Sequence, residues 1–212
     1  MTTLAIVGAG EGLGAAVARR FGAEGFSVAL LARRQDRLDK LVTDLKDVNS
    51  RGYAADVLNA EELAWALERA ANDLGPIEVL QYSPLPQRQF LKPVLETTVA
   101  EAREAFEFSV AGPMTAVNQV LPGMRERGRG SILFVNGGSG ARPNPKVGGT
   151  SIAFAGEGAY GQMLHETLGA EGVHVGQLII PGAIEPDETA ELAGKLWRMH
   201  SERGEFRVVH TR

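Results

Sequence analysis

The stretch Leu4-Ala5-Ile6-Val7-Gly8-Ala9-Gly10-Glu11-Gly12-Leu13-Gly14-Ala15-Ala16-Val17-Ala18 decides the fold. A short apolar run, a turn crowded with glycine and the start of an amphipathic helix follow one another without a break. A strand feeding a helix through such a turn leaves free backbone N–H groups and the positive helix end at the bend, where a phosphate can sit. Glycines at 8, 12 and 14 give G-x-x-x-G-x-G, whereas G-x-G-x-x-G would need glycine at 13, which is Leu13. Gly8, Glu11, Gly12, Leu13 and Gly14 are the candidate cradle.

Outward from this segment the alternation recurs. Apolar runs at 4–7, 28–31, 77–80, 132–135 and 173–180 alternate with stretches at 13–24, 37–48, 60–73, 99–125 and 153–169 whose apolar residues stand three and four apart. Two shorter strands are expected at 52–54 and 206–209, the second preceded by a helix at 188–203. Continuous apolar strands with helical crossovers predict a doubly wound α/β sheet of about seven mostly parallel strands, covered on both faces. With 212 residues and 44% hydrophobic composition, one Rossmann-type domain over the whole length is expected. Ligands in such sheets bind beyond the strand C-terminal ends, where the strand order reverses. Chain breakers gather at those ends: Ser83-Pro84-Leu85-Pro86, Gly137-Gly138-Ser139-Gly140, Pro143-Asn144-Pro145 and Pro181-Gly182.

Composition narrows the chemistry. The chain has no cysteine, which excludes disulfides, thiol catalysis and cysteine metal sites. Its histidines, at 165, 174, 200 and 210, lack close ligand spacing, so no metal is expected. A net charge of −4 with interspersed signs argues against nucleic acid. The basic stretch Arg125-Glu126-Arg127-Gly128-Arg129 reads as the end of a helix. No apolar run approaches the ~18 residues of a membrane helix. The first apolar run is needed as a strand and has no basic segment before it, so a cytoplasmic protein is expected.

After the second strand comes Ala32-Arg33-Arg34, with no acidic residue at 32–34 to accept from a ribose 2′-hydroxyl. Arginine there suits the extra 2′-phosphate instead, so NADP(H) is favoured over NAD(H). The Glu11 carboxylate opposes a nearby phosphate.

Here the chain resembles the short-chain dehydrogenase/reductase family over almost its whole length. The resemblance is carried by the glycine turn, Ala32-Arg33-Arg34, Asp56-Val57, Ser131-Ile132-Leu133-Phe134-Val135, Gly172-Val173-His174-Val175 and Pro181-Gly182-Ala183-Ile184. It implies that Asp56 bonds the adenine amino group, with Val57 beside it; a helix cap is the alternative role for Asp56. It also implies that Pro181, Gly182 and Ile184 lie along the nicotinamide, and that Tyr82, Ser83 and Pro84 form the turn after strand four.

The family's chemistry uses a tyrosine with a lysine four residues later. Four residues after Tyr53, Tyr82 and Tyr160 stand Val57, Pro86 and Leu164. Ungapped alignment from Gly130 and back from Gly172 puts the tyrosine position on Thr150 and the lysine on Phe154. The serine falls on Gly137 and the helper asparagine on Ser109. All four positions depart together. Three readings follow: an NADP-dependent reductase of a small carbonyl or imine with another proton donor, a dinucleotide-binding sensor or partner subunit without hydride transfer, or a non-redox isomerase or lyase. Tyr82 leads the candidate donors, with Ser139 and Thr150 behind it, and Tyr82 packed against the cofactor is its commoner role. His165 is expected at the surface or an interface, and Glu157 and Glu185 as solvated charges. In the resembling family the long helices flanking strand five form a four-helix bundle between subunits. Here they carry Phe106, Phe108, Val110, Met114 and Val117, then Phe154, Tyr160, Met163 and Leu168, so a homodimer or homotetramer is expected.

Overall fold

A computed structural model describes residues 2–211. Seven strands form one parallel sheet: β1 (Thr3–Val7), β2 (Ser27–Ala32), β3 (Ser50–Ala54), β4 (Ile77–Tyr82), β5 (Gly130–Gly137), β6 (Val173–Ile180) and β7 (Arg207–Val209). Their order is β3-β2-β1-β4-β5-β6-β7, so the winding reverses between β1 and β4. The central strands are buried along their whole length, which explains their mostly apolar character.

Among the described residues six helices cover the two faces. On one lie α1 (Leu13–Gly22), α2 (Gln35–Asp44) and α7 (Thr189–Glu202), packed through Phe21, Leu38, Leu41, Leu192 and Leu196. On the other lie α3 (Ala60–Leu74), α5 (Gly112–Glu126) and α6 (Gly148–Leu168), packed through Leu63, Leu67, Val117, Met124 and Leu168. Asn59 caps α3, its side-chain oxygen accepting from the Glu62 N–H at 3.2 Å.

The helix expected at 99–125 is interrupted. α4 (Val99–Phe106) ends in a π turn at Glu107–Ala111 before α5 begins. The cause is visible at the turn. Tyr82 donates its hydroxyl to the Phe108 carbonyl at 2.6 Å, and a Cβ on Gly112 would lie 2.4 Å from that hydroxyl oxygen. The other long helix starts earlier than 153, because Gly148 and Gly149 allow its first turn to press on the backbone of Val94 and Phe90.

Candidate active site

The glycine turn is shaped by close approach. Gly8 has φ +90°, and a Cβ there would lie 2.4 Å from the Pro84 Cα, so both conformation and space demand glycine. The N–H groups of Gly8 and Ala9 donate to the Leu31 carbonyl, and that of Ser83 to the Val7 carbonyl, tying β1, β2 and β4 together at the reversal of strand order. Gly14 lets α1 approach Ala9. Gly10 and Gly12 face open space, and no side chain caps α1. The result is an open N-terminal helix end at the switch point, the arrangement that favours an anionic group.

At the end of β2, Arg33 is exposed and belongs to no ion pair among the described residues. Arg34 turns instead to Asp36, with Nε at 3.0 Å from its carboxylate. Lys40 on α2 reaches back to Glu11 at 2.9 Å and holds that carboxyl below its usual range. The negative charge in the glycine turn is thus answered by a lysine that no local motif announces. The residue is hidden in the sequence because it is 29 positions away, and only the β1–α1 and β2–α2 crossovers bring it near.

Asp56 does not cap α3, since Asn59 does. Its carboxylate accepts from the Leu58 N–H at 3.0 Å in a local turn, beside the half-buried Val57. Ser83 and Pro84 back the glycine turn. Pro181 and Gly182 are exposed at the end of β6, and Ile184 is half-buried against the α1–α7 side.

The candidate proton donors separate. Tyr82 is corrected first: it is 2% exposed, and its hydroxyl is committed to Phe108. Burial and the Glu157 and Asp56 charges push its phenol well above the usual range, so it holds α5 in place and offers no proton. Ser139 and Thr150 do meet, with Oγ to Oγ1 at 3.5 Å, while Thr150 donates to the Val147 carbonyl at 3.2 Å. Thr150 is 2% exposed, which leaves Ser139 as the half-buried hydroxyl of the three. Phe154 fills the space behind Gly137, its ring edge 3.9 Å from where a Gly137 Cβ would be.

Glu157 overturns the solvated reading. It is 1% exposed, and burial pushes its carboxyl up to about 8 against the opposing hydrogen bond from Asn136. The missed signal lay in β5 and β6, where Asn136 and Gln177 interrupt otherwise apolar runs. His165 also turns inward, bonding the Val175 carbonyl through Nδ1 at 2.7 Å and packing edge-on against His174. Glu185 stays exposed and forms a capping box with Glu188. Of the residues expected between subunits, Phe108, Val110, Val117, Phe154 and Leu168 are buried within the chain itself. Phe106, Met114 and Met163 remain 49%, 39% and 60% exposed. Among the described residues no helix is long and apolar enough to cross a membrane, and no group of three acidic or histidine side chains is placed to hold a metal.

Comparison with known proteins agrees with this architecture. A short chain dehydrogenase family model matches residues 2–196. A short chain dehydrogenase of Pseudocercospora fijiensis is 28% identical over 205 residues, covering 91% of this chain and 64% of its own length. The inactive hydroxysteroid dehydrogenase-like protein 1 of Rattus norvegicus is 27% identical over 192 residues, covering 87% of this chain and 56% of its own. The chain therefore spans little more than half to two thirds of these relatives. A crystal structure of a short-chain dehydrogenase from Rhodopseudomonas palustris superposes with a TM-score of 0.89 at 25% identity, covering 100% of this chain and 98% of that one. The chain belongs to the short chain dehydrogenase family, an oxidoreductase family built on this sheet.

Proposed function

We propose that the protein is an NADP(H)-dependent reductase of a small carbonyl or imine whose proton comes from a source other than a tyrosine–lysine pair. One observation carries the reading: at the switch point an uncapped helix end opens onto Gly10 and Gly12, with Lys40 at its rim on Glu11 and Arg33 exposed just past the end of β2. Those groups fit a dinucleotide phosphate. The backbone of Gly12, Leu13 and Gly14 would hold the pyrophosphate, and Arg33, with Lys40 released from Glu11, the 2′-phosphate. Gly8 shapes the turn. Asp56 and Val57 would take the adenine end, and Ser83, Pro84, Pro181, Gly182 and Ile184 the nicotinamide end. A bound reduced nicotinamide supplies hydride. Ser139 is the hydroxyl of this chain best placed to orient a substrate oxygen, because Thr150 is tied to its own helix.

Purified protein mixed with NADPH and a broad panel of carbonyls and imines should consume the reduced cofactor with at least one of them. Binding of NADPH without consumption across the panel would promote a second reading, a dinucleotide-binding subunit without hydride transfer. Phe154 favours that alternative, since a phenyl ring replaces the group that would grip ribose hydroxyls. We also propose self-association into a dimer or tetramer through the α4–α6 side, where Phe106, Met114 and Met163 lie exposed.

A further inference from the structure

Glu157 sits on α6 one turn inward from Phe154, and its carboxyl ends a chain of side-chain hydrogen bonds. Arg207 Nε donates to Gln177 Oε1 at 2.8 Å. Gln177 Nε2 donates to Asn136 Oδ1 at 2.8 Å, and Asn136 Nδ2 donates to Glu157 Oε2 at 2.9 Å. The oxygen and nitrogen of an amide have nearly the same shape, so such a chain can in principle run either way. A guanidinium can only donate. Arg207 therefore orients Gln177, Gln177 orients Asn136, and Asn136 must present N–H to Glu157. Oε2 is an acceptor, and the proton of the neutral acid is left to Oε1. That atom is buried and has no hydrogen-bond partner among the described residues.

The other groups around the carboxyl do not hold it ionised. From β4, Tyr82 commits its hydroxyl to the Phe108 carbonyl. From α6 itself, Tyr160 is half-buried and packs on Phe134. From β7, Arg207 is exposed and reaches the carboxyl only through two amides. The position is also informative. Asn136 directly precedes Gly137, and Asn136 Cβ and Phe154 Cβ lie 3.2 and 3.4 Å from where a Gly140 Cβ would be. Asn136, the partner that bonds the acid, thus backs the turn that walls the candidate site.

We propose that Glu157 is the proton store of this site, keeping its proton on Oε1 behind the Gly137–Gly140 wall and giving it up, through one intervening water, to the carbonyl being reduced. This rests on the reductase reading above. The carbonyl carbon gains hydride from the bound reduced cofactor and its oxygen gains the proton. The Oε1–H bond breaks, its electron pair stays on the carboxylate, and solvent reprotonates Glu157 between turnovers. Because it acts through water, Glu157 is a positioning and storage group without direct contact with the reacting atoms.

Two measurements on the full chain test this. Infrared difference spectra of the wild type, taken across pH, should show the carbonyl stretch of a protonated carboxylic acid that fades with a midpoint near pH 8 and is missing in Glu157→Gln. Arg207→Met, which removes the donor that orients the amides, should shift that band, so assignment does not depend on Glu157→Gln alone. Absence of the band at pH 7 overturns the proposal. In NADPH consumption with an accepted carbonyl, Glu157→Gln should lower kcat by about 10²-fold or more. It should also flatten the alkaline limb of the wild-type profile and leave NADPH affinity within about twofold. A wild-type rate and profile in Glu157→Gln also overturns it. If the wild type binds NADPH and reduces nothing, the reductase reading falls and the proton-store role with it, while the infrared band still marks a structural acid.

Discussion

Glu157 makes stability depend on pH with a sign set by its burial. Its folded value, about 8, lies above the ordinary 4.5, so the stability it contributes is full below about 4.5 and is lost as pH rises through 8. His174 works the other way. Burial and the neighbouring His165, Arg203 and His200 charges lower it to about 4, so its contribution is present above 6.5 and lost as pH falls through 4. The two slopes oppose each other below pH 6.5, and from 6.5 to 8 only the Glu157 slope remains. At about 1.4 kcal/mol per pH unit, wild-type stability should fall by about 2 kcal/mol across that window. Denaturant unfolding at several pH values should show this fall, and Glu157→Gln should remove it. An unchanged slope in the variant would place the titration elsewhere. Nothing in its own helix betrays the burial of Glu157, because a glutamate beside Gly156 and Gly158 has the composition of a solvated turn of helix. Its burial follows from partners on β5 and β6, at positions 136 and 177, that no helical periodicity records.

At the scale of elements, the docking of α5 on β4 hangs on one hydroxyl and one missing side chain. Tyr82→Phe removes the bond to Phe108 and should cost about 1–3 kcal/mol, because a buried carbonyl loses its partner. Gly112→Ala should destabilise too, since its Cβ would meet that hydroxyl at 2.4 Å and the Val57 carbonyl at 3.1 Å. The double variant should cost less than the sum, because loss of the phenol oxygen at position 82 vacates the space that a methyl group at position 112 needs. Denaturant midpoints for the four proteins of the cycle measure the coupling, and simple additivity would mean the two residues do not share that space. The same contact explains why the π turn is invisible in the sequence. Apolar spacing at Phe106, Val110 and Val117 runs on through 107–111, while the cause of the break sits on a different strand. In contrast, β1 through α1 is legible almost to the residue. Its strand, tight turn and helix are each set by local chemistry, with Gly8 forced by both φ and Pro84.

Across the whole molecule, the doubly wound sheet is legible because every crossover repeats the same pattern of apolar strand and amphipathic helix. The switch point follows from it, and the chain breakers after β4, β5 and β6 do gather at that end of the sheet. What the pattern could not supply was charge pairing across crossovers, such as Lys40 with Glu11, or which apolar residues of α4–α6 the chain covers by itself. Phe106, Met114 and Met163 are left over, so light scattering should find a dimer or tetramer, and Met163→Glu should shift it toward monomer. A wild-type monomer would refute that assembly. The reading of the first crossover as a dinucleotide cradle meets its most direct test in calorimetric titration of the wild type and Arg33→Ala with NADPH and NADH. NADPH should bind the wild type about tenfold or more tightly than NADH, a difference of about 1.4 kcal/mol, and Arg33→Ala should weaken NADPH selectively. No binding of either nucleotide would contradict the cradle, and equal loss for both in the variant would contradict the 2′-phosphate contact.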